Sequence, residues 1–224
     1  MMTSKPEDRL RKNGVKTRKY YKWLRWSMKK INLHVLGGKM KDIEVRGKLR
    51  LAIKELYKKD FSLIQLRCCE RSIVFRLGIY LNNIFEEYDV DCEYNKNGDC
   101  IKSLPSRRYN FPDIIVHKRK EKENNLLIIE VKTPNDIKIN HFENDYKKLR
   151  GFTSEVEYEY TQGAHVFISV TRCSIVWYVN GIITEHEMYN IDKTNHTLYK
   201  VGAEHKNMLK FDRWYKKKII ESNS

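Results

Sequence analysis

Four residues can do chemistry if the fold brings them together: Glu70, Asp113, Glu130 and Lys132. Glu130 and Lys132 end the apolar run NNLLIIEVKTP, residues 124–134. Successive strand side chains point to opposite faces, so Glu130 and Lys132 share a face with Leu126 and Ile128, and Val131 points to the other. The run reads as a strand buried on both faces. A carboxylate and an amine at its end are costly unless they find partners. Those partners are each other, other side chains, or a metal ion and a substrate.

Asp113 opens a short strand expected over FPDIIVH, residues 111–117. If the two strands pair as a hairpin, the start of the first lies beside the end of the second, and Asp113 meets Glu130 and Lys132. Glu70 is expected on the core-facing stripe of a long helix over 62–86, in step with Leu66, Ile73, Leu77, Leu81 and Ile84. From there it can approach the same corner; the competing reading is a salt bridge to Arg67 or Arg76. Carboxylates that converge in a partly dry site repel one another, and a divalent cation resolves the repulsion. Mg²⁺ or Mn²⁺ suits an all-oxygen set, here Asp113, Glu130, Glu70 and the Val131 carbonyl. Lys132 is then the group that orients or activates a water against a phosphodiester, or offsets charge in the transition state.

The elements that must position these residues follow from local pattern. Helices are expected over 20–33, 44–59, 62–86, 141–152 and 203–220. Strands are expected over 90–94, 111–117, 126–132, 163–171 and 174–180, with a further one near 182–188. The order helix, strand, strand, strand, helix, strand indicates an α/β domain on a mixed sheet. Residues 96–110 are expected to be a loop whose Lys102, Arg107 and Arg108 either clamp phosphates or are simply solvated. His117 falls on the Asp113 face, where a packed, hydrogen-bonded role is favoured over that of a general base. No internal repeat or low-complexity block interrupts the chain.

The 224 residues suit one domain with an extension. The formal charge is +15 and unevenly spread: residues 1–60 hold 19 Lys/Arg against 6 Asp/Glu, and the rest 25 against 23. A basic arm of this size suggests a polyanion. Its segment YYKWLRWSMKKINL mixes aromatics with cations, as a nucleic-acid-binding arm requires, although an anionic membrane or core packing would use the same mixture. The extension is drawn as residues 1–60 and the main domain as 61–224. Five cysteines without a C-x-x-C pair argue against a disulfide framework and a zinc site, and fit a reducing cytoplasm. No apolar run approaches the length of a transmembrane helix, and MMTSKPEDRLRKNG lacks the apolar stretch of a signal peptide.

Pro112-Asp113 followed by Glu130-Val131-Lys132, with Glu70 on the preceding helix, resembles the PD-(D/E)XK nuclease superfamily, the restriction-endonuclease-like fold. The resemblance covers about residues 62–171. The segments CERSIVFRLGIYL, VDCEYN, PDIIVH, LLIIEVK and DYKKL also resemble uncharacterised bacterial and phage-associated members. It implies an αβββαβ core and a metal-dependent endonuclease, with Asp113, Glu130 and Glu70 on Mg²⁺ or Mn²⁺ and Lys132 at the water. It also implies that Asp145 and Lys148, which share a helix face, border the site, with Lys148 near nucleic acid; a surface ion pair is the alternative. The partner expected is nucleic acid, DNA first, and no membrane. A homodimer would suit cleavage of both strands, although no dimer signature is visible. Two rivals stay open: a catalytically silent nucleic-acid-binding or assembly subunit of the same fold, and a buried structural ion network with a basic arm for another partner.

Overall fold

Apolar residues three and four apart build the first helix of the described residues, α1 (Asp42–Gln65), which buries Val45, Leu49, Ala52, Ile53, Leu56 and Tyr57. Asp42 and Glu44 in its first turn suit the positive end of the helix dipole. The computed structural model describes residues 42–97, 100–101, 111–119, 121, 124–136, 139–154, 158, 160–202 and 209–222. The chain divides into two units, Met1–Lys39 and Met40–Ser224, and every described residue belongs to the second. The helix expected over 20–33, the start of that expected over 203–220, and Lys102, Arg107 and Arg108 lie outside the described residues. Residues 42–60, assigned to the extension from sequence, pack into the same core as the sheet.

The single helix expected over 62–86 is two helices. α1 ends at Gln65, and α2 spans Glu70–Ile84. Arg67 takes a left-handed φ of 52°. Its N–H donates to the Ile64 carbonyl at 3.2 Å, and the Cys68 N–H donates to the Leu63 carbonyl at 3.0 Å. This is a Schellman termination with an arginine where glycine usually stands. No glycine or proline marks it, so the apolar period runs through the break. The consequence reaches the site. Leu66 is 75% exposed, and Glu70 lies in the first turn of α2 rather than on a mid-helix core stripe. Further back, α1 departs from helical geometry at Asp60, whose φ is −125°. The Asp60 carboxylate accepts from Arg76 Nε at 2.8 Å and from the Tyr80 hydroxyl, which ties α1 to α2.

The strands are β1 (Asp89–Cys92), β2 (Lys96–Asn97), β3 (Cys100–Ile101), β4 (Ile114–His117), β5 (Leu127–Lys132), β6 (Gln162–Ile168), β7 (Arg172–Val179), β8 (Ile182–Ile191) and β9 (Leu198–Val201). Seven form one mixed sheet in the order β1-β4-β5-β6-β7-β8-β9, and β2 pairs with β3. The α/β class and the mixed sheet match expectation. β4 and β5 form the expected antiparallel pair. β5 and β6 are parallel, so the chain crosses over between them through α3 (Ile139–Ser154). The last helix is α4 (Lys210–Ser222). Sequence reading missed the short β2–β3 pair, inside a segment expected to be a loop, and β9, whose four residues carry too little alternation to register.

Two apolar clusters cover the two faces of the sheet. α1 and α2 pack Leu49, Ile53, Leu77 and Leu81 against Ile129, Val131, Val166 and Trp177. On the other face α3 and α4 pack Phe142, Leu149, Phe152, Phe211 and Tyr215 against Ile115, Ile128, Val176 and Tyr178. Every residue of β5 is buried, as its apolar run requires. Each fully buried aliphatic side chain here contributes about 1.5–3 kcal/mol, which is the reservoir that tolerates charged groups at the end of the strand.

Candidate active site

Alternation along β5 sends Ile129 and Val131 to the α1–α2 face and leaves Ile128, Glu130 and Lys132 on the α3 face. Pairing of Ile115 with Ile128 carries Asp113, just before β4, to the end of β5. There the Asp113 Oδ2 accepts the Val131 N–H at 2.7 Å. A side chain thus extends the β4–β5 ladder by one hydrogen bond, and Asp113 is fixed beside Glu130 and Lys132.

Lys132 Nζ reaches in three directions. It lies 3.0 Å from Glu70 Oε1, 3.1 Å from the Val131 carbonyl and 3.2 Å from Asp145 Oδ2. Glu70 arrives from the N-terminus of α2 and Asp145 from the buried face of α3. One turn along α3, Lys148 Nζ donates to Glu130 Oε2 at 2.6 Å and sits 3.2 Å from Asp145 Oδ1. Asp145 therefore holds one lysine with each oxygen. The expected residues Glu70, Asp113, Glu130, Lys132 and Lys148 are brought together. Arg76 pairs with Asp60, away from Glu70. Asp145 and Lys148 do form an ion pair, but inside the protein: their side chains are 7% and 14% exposed. Lys148 points inward to Glu130. His117 is buried, with its Nε2 2.9 Å from Asp91 Oδ2 and its ring 4.9 Å from that of Tyr94.

Charge does not balance within this group. Four carboxylates, Glu70, Asp113, Glu130 and Asp145, surround two ammonium groups, Lys132 and Lys148. Fully ionised, they leave two negative charges in a largely dry space. The protonation equilibria report the strain. Burial, reinforced by Asp113 and Asp145, holds the Glu130 carboxyl well above the ordinary range, and the neighbouring Lys148 only partly opposes it. Burial also raises Asp113, against the pull of Lys132 and the Val131 N–H. For Lys132, burial disfavours the charge, but Asp145, Glu70 and Asp113 outweigh it and the pKa rises. Lys148 rises likewise under Glu130 and Asp145. Burial would raise Asp145, yet His165, Lys148 and Lys132 bring it below its usual value. Both lysines therefore remain ammonium, and Glu130 is the member whose negative charge burial disfavours most.

The same imbalance is the test of fit for a divalent cation. The donors are all oxygen, as Mg²⁺ and Mn²⁺ prefer. Glu130 Oε1 is buried with no hydrogen-bond partner, so one lone-pair direction of a fully buried carboxylate is unsatisfied. Fully ionised, the described members of the group carry two more negative than positive charges. Among the described residues no three Asp, Glu, His or Cys side chains form a ready-made cage, because the lysines occupy the positions facing Glu130 and Glu70. The donor set fits a cation that displaces an ammonium group.

Sequence reasoning missed His165. It lies on β6 in register with Glu130 and is fully buried, and burial drives its pKa down to about 3, so the ring is neutral. Its signal was a lone imidazole in the apolar strand GAHVFISV. No helix among the described residues is long and apolar enough to cross a membrane. No protein-family model matches the chain, and no curated protein matches it.

Proposed function

We propose that this chain is a metal-dependent nuclease of the PD-(D/E)XK type that hydrolyses phosphodiester bonds in nucleic acid, DNA first. The observation that carries the reading is the cluster of Asp113, Glu130, Glu70 and Asp145 around Lys132 and Lys148 at the end of β5, with two more carboxylates than ammonium groups. The αβββαβ order around it, α2-β1-β4-β5-α3-β6 once the short β2–β3 pair is set aside, supports the restriction-endonuclease-like assignment.

Asp113, Glu130, Glu70 and the Val131 carbonyl would hold Mg²⁺ or Mn²⁺. When bound, such a cation supplies a more acidic water and polarises a phosphoryl oxygen. Asp113, held to the Val131 N–H through Oδ2, would turn its second oxygen toward that centre. Lys132, an ammonium donor among three acceptors, holds the attacking water and offsets charge on the phosphodiester. Glu70, with a side chain 23% exposed, marks the open side of the cluster. Basic residues 1–60 would grip the backbone through phosphates, without reading sequence.

The test is cleavage of plasmid, single-stranded DNA and RNA with Mg²⁺ or Mn²⁺, beside Asp113→Asn and Lys132→Gln. Both substitutions keep a polar group against its present partner. Each should lower turnover by about 10²–10⁴-fold, and EDTA should abolish it. Binding without cleavage of any substrate, unaltered in both variants, would refute the reading. One observation favours a structural ion network instead: Glu130 and Glu70 already face ammonium groups at 2.6 and 3.0 Å. That reading predicts no divalent-metal binding at all.

A further inference from the structure

Behind the cluster lies a second layer of buried polar groups that the proposed chemistry does not use. His165 Nδ1 meets the Tyr215 hydroxyl, and the Tyr178 hydroxyl donates to the same Tyr215 oxygen at 2.7 Å. All three side chains are fully buried. The tautomer is assigned from the hydrogen-bond chain, with the Tyr178 hydroxyl as its first donor. Tyr215 receives the Tyr178 proton, so its own proton goes to His165 Nδ1, and the imidazole carries its N–H on Nε2. That Nε2 faces Asp145 Oδ2 at 3.5 Å. Among the described residues His165 Nε2 has no other hydrogen-bond partner, and Asp145 Oδ2 has besides it only the ammonium of Lys132 at 3.2 Å. The buried imidazole nitrogen and the Asp145 oxygen it faces are natural complements, since leaving the nitrogen alone would cost about 1–3 kcal/mol.

Four elements thus meet at one carboxylate. β6 supplies His165, β7 and α4 supply the tyrosines behind it, and α3 supplies Asp145. Asp145 in turn sets Lys132 and Lys148 each at 3.2 Å from one of its oxygens. Phe142 and Phe211 pack edge-on against the His165 ring, with centroids at 6.4 and 4.9 Å.

We propose that His165, braced by Tyr215, is a positioning residue that orients the Asp145 carboxylate and through it the two site lysines. The role in turnover rests on the nuclease reading; the placement of the lysines does not. His165 sits behind Asp145, away from the Glu70 side where substrate would enter, and it contacts neither Asp113 nor Glu130 by hydrogen bond.

The experiment follows the side-chain ammonium signals of Lys132 and Lys148 in chelator-treated, ¹⁵N-lysine-labelled protein, assigned with Lys132→Gln and Lys148→Met. Three variants are compared: His165→Leu, His165→Gln, whose amide keeps a donor toward Asp145, and Tyr215→Phe. The expected result is that His165→Leu shifts or broadens both signals, Tyr215→Phe shifts them partly, and His165→Gln restores them toward wild type. Turnover, where present, should fall about 10–100-fold in His165→Leu with KM unchanged, and recover in His165→Gln. Should His165→Leu fail to fold, Tyr215→Phe decides on the same signals. Wild-type signals in every folded variant overturn the positioning role. Shifted signals in a protein that never cleaves nucleic acid would leave the positioning role standing and remove the nuclease reading.

Discussion

Lys148 gives the most direct test of whether the cluster is a cation site. Its ammonium lies 2.6 Å from Glu130 Oε2 and 3.2 Å from Asp145 Oδ1, with 14% of the side chain exposed and that of Glu130 not exposed at all. Lys148→Met removes one of two positive charges from a group of four carboxylates. Breaking a buried pair from one side costs about 3–5 kcal/mol. In a unit of this size about 1 kcal/mol moves Tm by roughly 2–4 °C, so the metal-free variant should melt about 6–20 °C lower. A dication that binds only the folded state restores stability by mass action, about 2.7 kcal/mol at a hundredfold excess over Kd, or roughly 5–11 °C. The variant, with one more uncompensated negative charge and no ammonium group to displace from Glu130, should gain more from the metal than wild type does. The assay is differential scanning calorimetry of both proteins in EDTA and in a Mn²⁺ series, with Glu130→Gln as the control that loses the shift. Identical Tm in EDTA and millimolar Mn²⁺ for both wild type and Lys148→Met would refute the charge argument.

Glu130→Gln should raise Tm in metal-free buffer at pH 7. Its folded pKa is raised above the ordinary value of 4.5, so wild-type stability declines as pH climbs from that value through the folded pKa, and the advantage of Gln should vanish near pH 4 on calorimetry. Glu187 has the opposite sign: burial would raise it, but Arg50 at 2.9 and 2.6 Å, Tyr189 and Trp177 hold it low. Its contribution is present above pH 4.5 and lost as pH falls through the folded pKa, so Glu187→Gln should cost about 1.5–3 kcal/mol at neutral pH and flatten the acid limb of the denaturation curve. Gly181 has φ +74°, and an added Cβ would lie 2.9 Å from Ser154 Cβ; Gly181→Ala should cost about 1–3 kcal/mol in urea titration, through strain at the β7–β8 turn.

Part of this arrangement is dictated by local sequence. The apolar run ending in Glu130 and Lys132 can only be a strand buried on both faces, because charged residues two apart on one strand share a face whatever surrounds them. The hairpin of β4 and β5 follows from two short strands and a polar connection, and it delivers Asp113 to Glu130 without further information. Other features were set by contacts between distant elements. The end of α1 at Arg67 carries no glycine and was fixed by backbone hydrogen bonds and by the packing of α2, which moved Glu70 from an expected core stripe to a helix N-terminus. Asp145 and Lys148 read equally as a surface pair until the β5-α3-β6 crossover turns their face of α3 onto the sheet. His165 lies beside Glu130 because two strands separated by that crossover run parallel in one register, and its brace, Tyr215, comes from the last helix. Alternation assigns a side chain to a face of its own strand, but it does not specify which strand or helix lies opposite. The pairing of charges within the cluster was therefore decided by tertiary structure alone.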